Sequence, residues 1–391
     1  MGRDRFTGNP FEELVLSGDE VAQLHDLSQS LIREHVDKYE EVLFENGSKI
    51  DERRWKLHTS KEDMRIYSER TQKELDRQMR KTTVGSEDEL TASELPVVIS
   101  FGTVVGNLDD VMFGIVNPTL DIMRVKASYV DDIQGAAVMA RLIEPSVKDP
   151  FQTLIIKWME LDVPLNSTNL VKNRDYVYME ATGFVTLRNG DRVGYHQLHS
   201  VEFPSAHALP NRIRGRFAVC GLFRQVGPNR VENWSMGTMA AGGDLPRFMQ
   251  VPVAAKAFLS ATMYSYCGQM KKLAWMLEKK HRDRRARGGK SAGAVCVTCG
   301  KKPNFMGKSR CRLCDHHVCY ACHISKKMSF ITPDSQLIKR KVPFCTACIS
   351  HAVRSSAEDA ARDQIVGAIG TAASVVRSNS FSDTSSSSEM V

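Results

Sequence analysis

Apolar residues first recur along the chain at helical intervals, with Val21, Leu24, Leu27, Leu31 and Ile32 three, four or seven positions apart. Ser17-Gly-Asp-Glu20 reads as the N-terminal cap of this helix, and Asn46-Gly47 as its stop. The period then changes. Strand-like runs occupy Met64–Tyr67, Val97–Val105, Ala137–Ile143, Thr153–Leu161, Tyr176–Leu187, Arg192–Phe203, Ile213–Val226 and Val231–Ala240. Asn189-Gly190 between two of them predicts a type I′ hairpin, whose two central residues need positive φ. Gly227-Pro228-Asn229 predicts a second turn. Short helices are expected at Leu108–Ile115 and Thr119–Met123. The later strands follow one another without helices between them, which predicts a curved antiparallel sheet rather than a doubly wound parallel one. Pro246 then opens one long helix over about 247–283, with Phe248, Val251, Ala255, Phe258, Leu259, Met263, Tyr266, Met270, Leu273 and Met276 on its apolar face.

Length and charge refine this pattern. A chain of 391 residues has room for two or three cores. No apolar run reaches the ~18 residues of a membrane span, and MGRDRFTGNP lacks the apolar core of a signal peptide. A cytoplasmic protein with peripheral membrane contact at most is therefore expected. The net charge of +7 is unevenly placed: Lys271 to Ser350 holds 19 Lys/Arg against 4 Asp/Glu, and the rest holds 34 against 42. Anionic lipid and nucleic acid are the partners such a basic section fits. Nucleic acid is the poorer fit, because the basic run 279–290 has no interleaved aromatic residue. The end of the chain reads as an alanine-rich helix followed by a disordered serine-rich stretch, Ser378–Met390; Ser378 and Ser380 are candidates for phosphorylation that would weaken docking.

Eight of the ten cysteines form four C-x2-C pairs: Cys296/Cys299, Cys311/Cys314, Cys319/Cys322 and Cys345/Cys348. One such turn supplies two thiolates to a tetrahedral ion and two turns complete it, so four pairs supply two closed zinc sites. Only four residues separate the second and third pairs, too few for two fingers in series. Interleaving follows: Cys296, Cys299, Cys319 and Cys322 on one Zn2+, and Cys311, Cys314, Cys345 and Cys348 on the other. The two remaining cysteines, Cys220 and Cys267, sit in apolar patterns and read as buried small side chains.

Gly307-Lys-Ser-Arg-Cys-Arg-Leu-Cys314 followed by Val318-Cys-Tyr-Ala-Cys322 resembles a FYVE-type zinc finger. The resemblance implies binding of phosphatidylinositol 3-phosphate on endosomal membranes, with Lys308, Arg310 and Arg312 in the basic slot and Phe305 and Met306 in the membrane-inserting loop. Ser309 and Arg310 stand where that family has a histidine pair, and Pro343-Phe344 precede Cys345 in place of Arg-Val. A RING-type alternative, a ubiquitin ligase, uses Cys314-x-His316-x2-Cys319-x2-Cys322 and leaves Cys311 aside. Otherwise His316, His317 and His323 read as solvent-facing, and a zinc-dependent interaction scaffold is a further alternative.

From Trp55 to about Lys280 the chain resembles the START lipid-binding family. Met64-Arg-Ile-Tyr67, Asn173-Arg-Asp-Tyr-Val-Tyr178 and Ala240-Ala-Gly-Gly-Asp-Leu-Pro-Arg-Phe248 carry the likeness. It implies an α+β helix-grip fold, a curved antiparallel sheet around a long C-terminal helix, with a lipid tunnel between them. Arg216, Arg224 and Glu180 are candidate polar wall residues. No catalytic motif stands out, and the pairs Asp109-Asp110 and Asp131-Asp132 read as loop caps. The expected organisation is a tail over 1–15, a START-like region over 16–285, a basic linker over 286–293, a FYVE-related finger over 294–352 and a helix with disordered tail over 353–391. A non-enzymatic lipid-binding or lipid-transfer protein follows from the two resemblances together.

Overall fold

The computed structural model describes residues 9–79, 93, 95–130, 133, 135–161, 172–243, 246–287, 295–302, 309–332 and 334–367. Helix α1 (Gly18–Glu40) begins with a reciprocal capping box: Ser17 Oγ accepts the Glu20 N–H, and the Glu20 carboxylate accepts the Ser17 N–H at 2.8 Å. A π-helical turn, Glu41–Glu45, follows and ends at Asn46.

Among the described residues the sheet has ten strands: β1 (Trp55–Lys61), β2 (Met64–Glu69), β3 (Val97–Val105), β4 (Gly135–Ile143), β5 (Thr153–Leu161), β6 (Asn173–Thr186), β7 (Arg192–Ser200), β8 (Arg212–Arg214), β9 (Arg216–Gly227) and β10 (Arg230–Ala240). Their order is β1-β2-β3-β10-β9-β7-β6-β5-β4, all antiparallel, with β8 beside β6 in parallel. Helices α2 (Gln72–Met79), α3 (Leu108–Ile115) and α4 (Leu120–Val130) lie between strands.

Both faces of the sheet are covered, so its strands read as nearly continuous apolar runs. On the outer face, Ile156, Trp158, Val177, Met179, Leu222 and Trp234 cluster with Ile32 and Tyr39 of α1. On the inner face, Ile66, Val98, Tyr176, Tyr178, Phe217 and Met239 meet Ala254, Ala255 and Phe258 of α5 (Arg247–Leu259). This is the expected helix-grip: an antiparallel sheet closed on one side by the C-terminal helices.

Four sequence expectations are corrected. The long helix is two: α5, a 3-10 turn at Ser260–Met263, and α6 (Tyr264–Arg287). Four residues wound at three per turn advance about 80° further than in an α-helix. That rotation lets Ala261 and Tyr264 join a second apolar cluster with α3, whereas Phe248, expected on the apolar face, is 76% exposed. At Asn189-Gly190 only the glycine has positive φ, +87°, and its N–H bonds Leu187 O. The turn is therefore type I closed by a left-handed glycine, as in three-residue hairpins, because Leu187 and Asp191 still pair. The strand expected over Ile213–Val226 breaks at Gly215, where β8 leaves β6 for β9. Asp109 and Asp110 lie in the first turn of α3, not in a loop.

After α6 come β11 (Ser309–Arg310), β12 (His317–Val318), a hairpin of β13 (Ile324–Ile331) and β14 (Leu337–Phe344), and α7 (Thr346–Arg354). This cysteine-rich segment is fastened to the sheet-bearing body. Met270 and Leu273 of α6 share an apolar cluster with Val318, Met328, Val342 and Phe344. On α4, Tyr129 Oη accepts the Ser329 N–H at 2.7 Å, and Ser128 Oγ bonds Ser329 Oγ at 2.7 Å. The chain then returns to the body: within the helical stretch 357–367, Ala357, Ala360 and Ala361 are buried with α3 residues, and Asp363 accepts from Trp275 Nε1. Among the described residues no helix is long and apolar enough to cross a membrane.

Candidate metal centres and a polar row beneath the gripping helices

Eight thiols gather into two groups. Cys296, Cys299, Cys319 and Cys322 form one, Cys311, Cys314, Cys345 and Cys348 the other, and within each all sulfurs lie inside 4.8 Å of one another. All ten cysteines are free thiols. The Sγ–Sγ separations of 3.8 Å (Cys299–Cys319) and 3.9 Å (Cys314–Cys345) far exceed a disulfide bond. They match the edge of a tetrahedron with metal–sulfur bonds of about 2.3 Å, which is about 3.8 Å. The donor set, its spacing and its closure therefore fit a tetrahedral thiophilic ion in each group.

Local electrostatics point the same way. The Cys319 N–H donates to Cys296 Sγ at 3.3 Å and draws that thiol down to about 6. Hydrogen bonds from its thiol to Cys319 and Cys299, with their charge behind, keep Cys322 protonated up to about 12. One ionised sulfur thus suppresses the next, and a cation is what allows all four to be thiolates.

The interleaved assignment places Cys311 in the second group. His316 belongs to neither: its Nδ1 bonds Cys314 O at 3.0 Å. The RING-type arrangement, which needs His316 in place of Cys311, is not what the chain adopts. His317, expected at the surface, is only 6% exposed, because it pairs with Arg310 in the β11–β12 ribbon and its carbonyl accepts the Val297 N–H. Arg310 and Arg312 are exposed. Lys308, Phe305 and Met306 lie outside the described residues, as do Asp131 and Asp132 and the serine-rich end.

Inside the grip, hydrogen-bond register lines up a polar row. Ser100, Ser235, Gly221, His196, Thr182 and Thr153 are successive cross-strand partners on β3, β10, β9, β7, β6 and β5. Asn233 links Ser100 and Ser235, donating to the first at 2.9 Å and accepting from the second at 2.6 Å. Beside Thr182, Glu180 meets His196 Nε2 at 2.6 Å and accepts from the Lys157 ammonium. Lys157 also donates to Asn117 O at 2.8 Å. Burial alone would raise Glu180, but the Lys157 and Lys126 ammoniums hold it well below the usual carboxylate range. Burial pushes Lys157 down to about 8 against the pull of Glu180, and lowers His196. All three are below 6% exposed, so the network is a desolvated Lys157–Glu180 ion pair with the His196 imidazole bonded to the carboxylate. Toward α5 the same face becomes apolar at Leu198, Val219, Tyr178, Phe217 and Met239.

Of the three expected wall residues, only Glu180 faces inward. Arg216 pairs with Glu202 at the surface, and Arg224 bridges Asp191 and Glu232 under α1, because even-numbered β9 residues point outward. Lys157 and His196 were missed. A lone lysine inside the apolar run Thr153–Leu161 was the available signal. A cleft of about 380 Å3 opens on the outer side where β7 ends, lined by Val177, His199, Arg214 and Thr238, with Phe217 dividing it from the inner cluster.

Solved structures similar to this chain are START-related domains. Human StAR-related lipid transfer protein 5 matches at TM-score 0.37 and 13% identity over 61% of this chain and 95% of that one. Human STARD10 matches at 0.35 and 12%, over 60% and 77%. A STAR-related lipid transfer protein fragment from Xanthomonas axonopodis matches at 0.36 and 14%, over 55% and 99%. No family model matches the chain. No curated protein matches it either. Likenesses this slight assign neither ligand nor activity, so both rest on the chain's own contacts.

Proposed function

We propose that the chain is a non-enzymatic lipid-binding or lipid-transfer protein whose inner sheet face takes one hydrophobic ligand beneath α5. The observation that carries this reading is the division of that face: aromatic and aliphatic side chains under the alanines of α5, and a transverse polar row at their end. Ligand sites have this make-up, an apolar wall for the body of the molecule and a few fixed polar groups for its head. Ala254 and Ala255 face the sheet with little bulk, which leaves α5 as the removable wall. The cysteine-rich segment holds two Zn2+ on its two groups of four and docks the protein peripherally on anionic membranes. Arg310 and Arg312, exposed and with no carboxylate partner among the described residues, favour that docking. In the FYVE-like reading they join Lys308 on phosphatidylinositol 3-phosphate at endosomes, with Phe305 and Met306 entering the bilayer.

Mass spectrometry of an organic extract of the purified chain tests the lipid reading. Near-stoichiometric lipid of one class supports it, together with movement of that lipid between vesicles when protein is added. Purified protein that carries no lipid and takes none up from vesicles overturns it.

A further inference from the structure

The two knuckles of the first cysteine group are built alike. Cys296-Val297-Thr298-Cys299 and Cys319-Tyr320-Ala321-Cys322 each place an apolar residue directly after the first sulfur. Both residues face outward: Val297 is 45% exposed and Tyr320 80%, with Val295 beside them at 43%. The second group differs at the same position, with Arg312 after Cys311 and Thr346 after Cys345. That second half is the one the body grips. Lys280 pairs with Asp315 at 2.6 Å and donates to Arg312 O at 2.6 Å, and Lys272 donates to Val353 O and Ser355 O at the C-terminal end of α7. The hairpin is held as well, through Ser329 on α4, Ser335 O on Arg124 and Lys339 on Ser128 O. The fastening therefore uses the second group and the hairpin. It leaves the knuckles of the first group exposed at their outer side, where the Tyr320 ring lies against His323 with 5.2 Å between ring centroids.

Positive charge adjoins the first knuckle. The first knuckle closes by a Cys296 N–H bond to Lys301 O at 2.9 Å, which sets Lys301 and Lys302 at its rim, both exposed. Neither lysine has a carboxylate partner among the described residues, and one of the two described acidic groups in this segment, Asp315, is taken by Lys280. Exposed valine and tyrosine rimmed by lysine is the chemistry of the water–lipid boundary. The aliphatic part enters, the phenol stays among headgroups, and ammoniums reach lipid phosphates. A nucleic-acid strand stacks on a succession of rings, and the knuckles offer one.

We propose that Val297 and Tyr320, with Lys301 and Lys302, form the face that this segment lays on an anionic phospholipid bilayer. The inference rests on the membrane-docking reading and moves the contact from the Arg310/Arg312 slot to the first knuckle pair. It is tested with the full-length, zinc-loaded chain and phosphatidylcholine vesicles with or without phosphatidylserine. Val297→Ser with Tyr320→Ser lowers binding by at least about tenfold and does so equally at high salt, since the loss is of apolar burial. Lys301→Ala with Lys302→Ala lowers binding to phosphatidylserine vesicles about thirtyfold at low salt. Each variant is first checked for unchanged metal content and unfolding midpoint. Wild-type binding that both knuckle variants retain, while Arg310→Glu with Arg312→Glu loses it, overturns the inference and keeps the docking reading. A wild-type chain that ignores both vesicle types overturns the two together, and lipid extraction then still judges the inner site independently.

Discussion

Lys272 of α6 and Asp110 of α3 form a buried ion pair, with 2.6 Å between Nζ and Oδ1 and both side chains at most 2% exposed. The same ammonium donates to Val353 O at 3.1 Å and Ser355 O at 2.9 Å. One lysine thereby joins the α3 edge of the grip, its C-terminal helix and the end of the cysteine-rich segment.

Truncating that lysine strands a buried carboxylate and two carbonyls. Lys272→Ala is expected to lower stability by about 3–5 kcal/mol, read by denaturant unfolding. Lys272→Met combined with Asp110→Leu recovers much of the loss, because no unpaired charge remains. Hydrogen exchange adds a spatial check. Protection falls first in α7 if the lysine holds that helix, and uniformly if it does not.

The crossing of α3 and α6 depends on two glycines. A Cβ on Gly114 would come 2.0 Å from Tyr264 O, and one on Gly268 would come 1.9 Å from Asp110 O. Backbone stands in the way in both cases, so no side-chain rotation relieves the clash. Gly268→Ala is expected to destabilise by at least about 1–3 kcal/mol and to weaken the neighbouring Lys272–Asp110 pair. A thermal melt unchanged within a degree or two would show that the helices separate freely.

Metal removal reaches beyond the cysteines. Elemental analysis is expected to give two zinc ions per chain, falling to one in Cys299→Ser or Cys311→Ser. A strong chelator should unfold 295–354, since this small segment has little apolar core of its own. Hydrogen exchange should then also rise over 124–129 of α4, whose Arg124, Ser128 and Tyr129 lose their partners at Ser335 and Ser329. Full protection of α4 in the chelated protein would mean that the body does not depend on the segment.

Lys271 gives a pH test with a defined sign. It is buried, 7% exposed, against the carbonyls of Phe113 and Val116, and burial lowers its ammonium from 10.5 to about 8. Between those two values the unfolded chain binds the extra proton, so stability rises with pH across the window, and that gain is lost as pH falls back through it. Relative to Lys271→Met, the wild type should gain about 3 kcal/mol between pH 8 and 10.5. Parallel pH profiles for the two proteins would contradict that burial.

Much of this architecture is written in local pattern. The Ser17–Glu20 cap, the limits of β3, β5 and α3, and the pairing of eight cysteines all follow from spacing, because each is decided by residues near in sequence or by ligand geometry. What pattern leaves out is decided across the fold. Nothing near Lys157 announces Glu180 and His196, which reach it only through strand register. The apolar stripe on α5 and α6 looks continuous because a 3-10 turn has no composition of its own. Strand β1 was missed since only Trp55 of its seven residues is buried, the profile of an edge. Charge gave Arg216 and Arg224 as wall candidates, but alternation decides the face, and an unpaired reading of β9 does not fix which parity points inward.

Ligand stoichiometry in a chamber-filling variant tests the central claim most directly. Ala255 faces the inner sheet from α5, so Ala255→Trp should fill the space proposed for the lipid while leaving the metal centres and the Lys272–Asp110 joint in place. The lipid-stripped wild type is expected to take up one labelled lipid per chain from vesicles. The variant, folded and with unchanged zinc content, should take up at least about tenfold less. Equal uptake by the two proteins, or none by the wild type, would contradict a ligand site beneath α5.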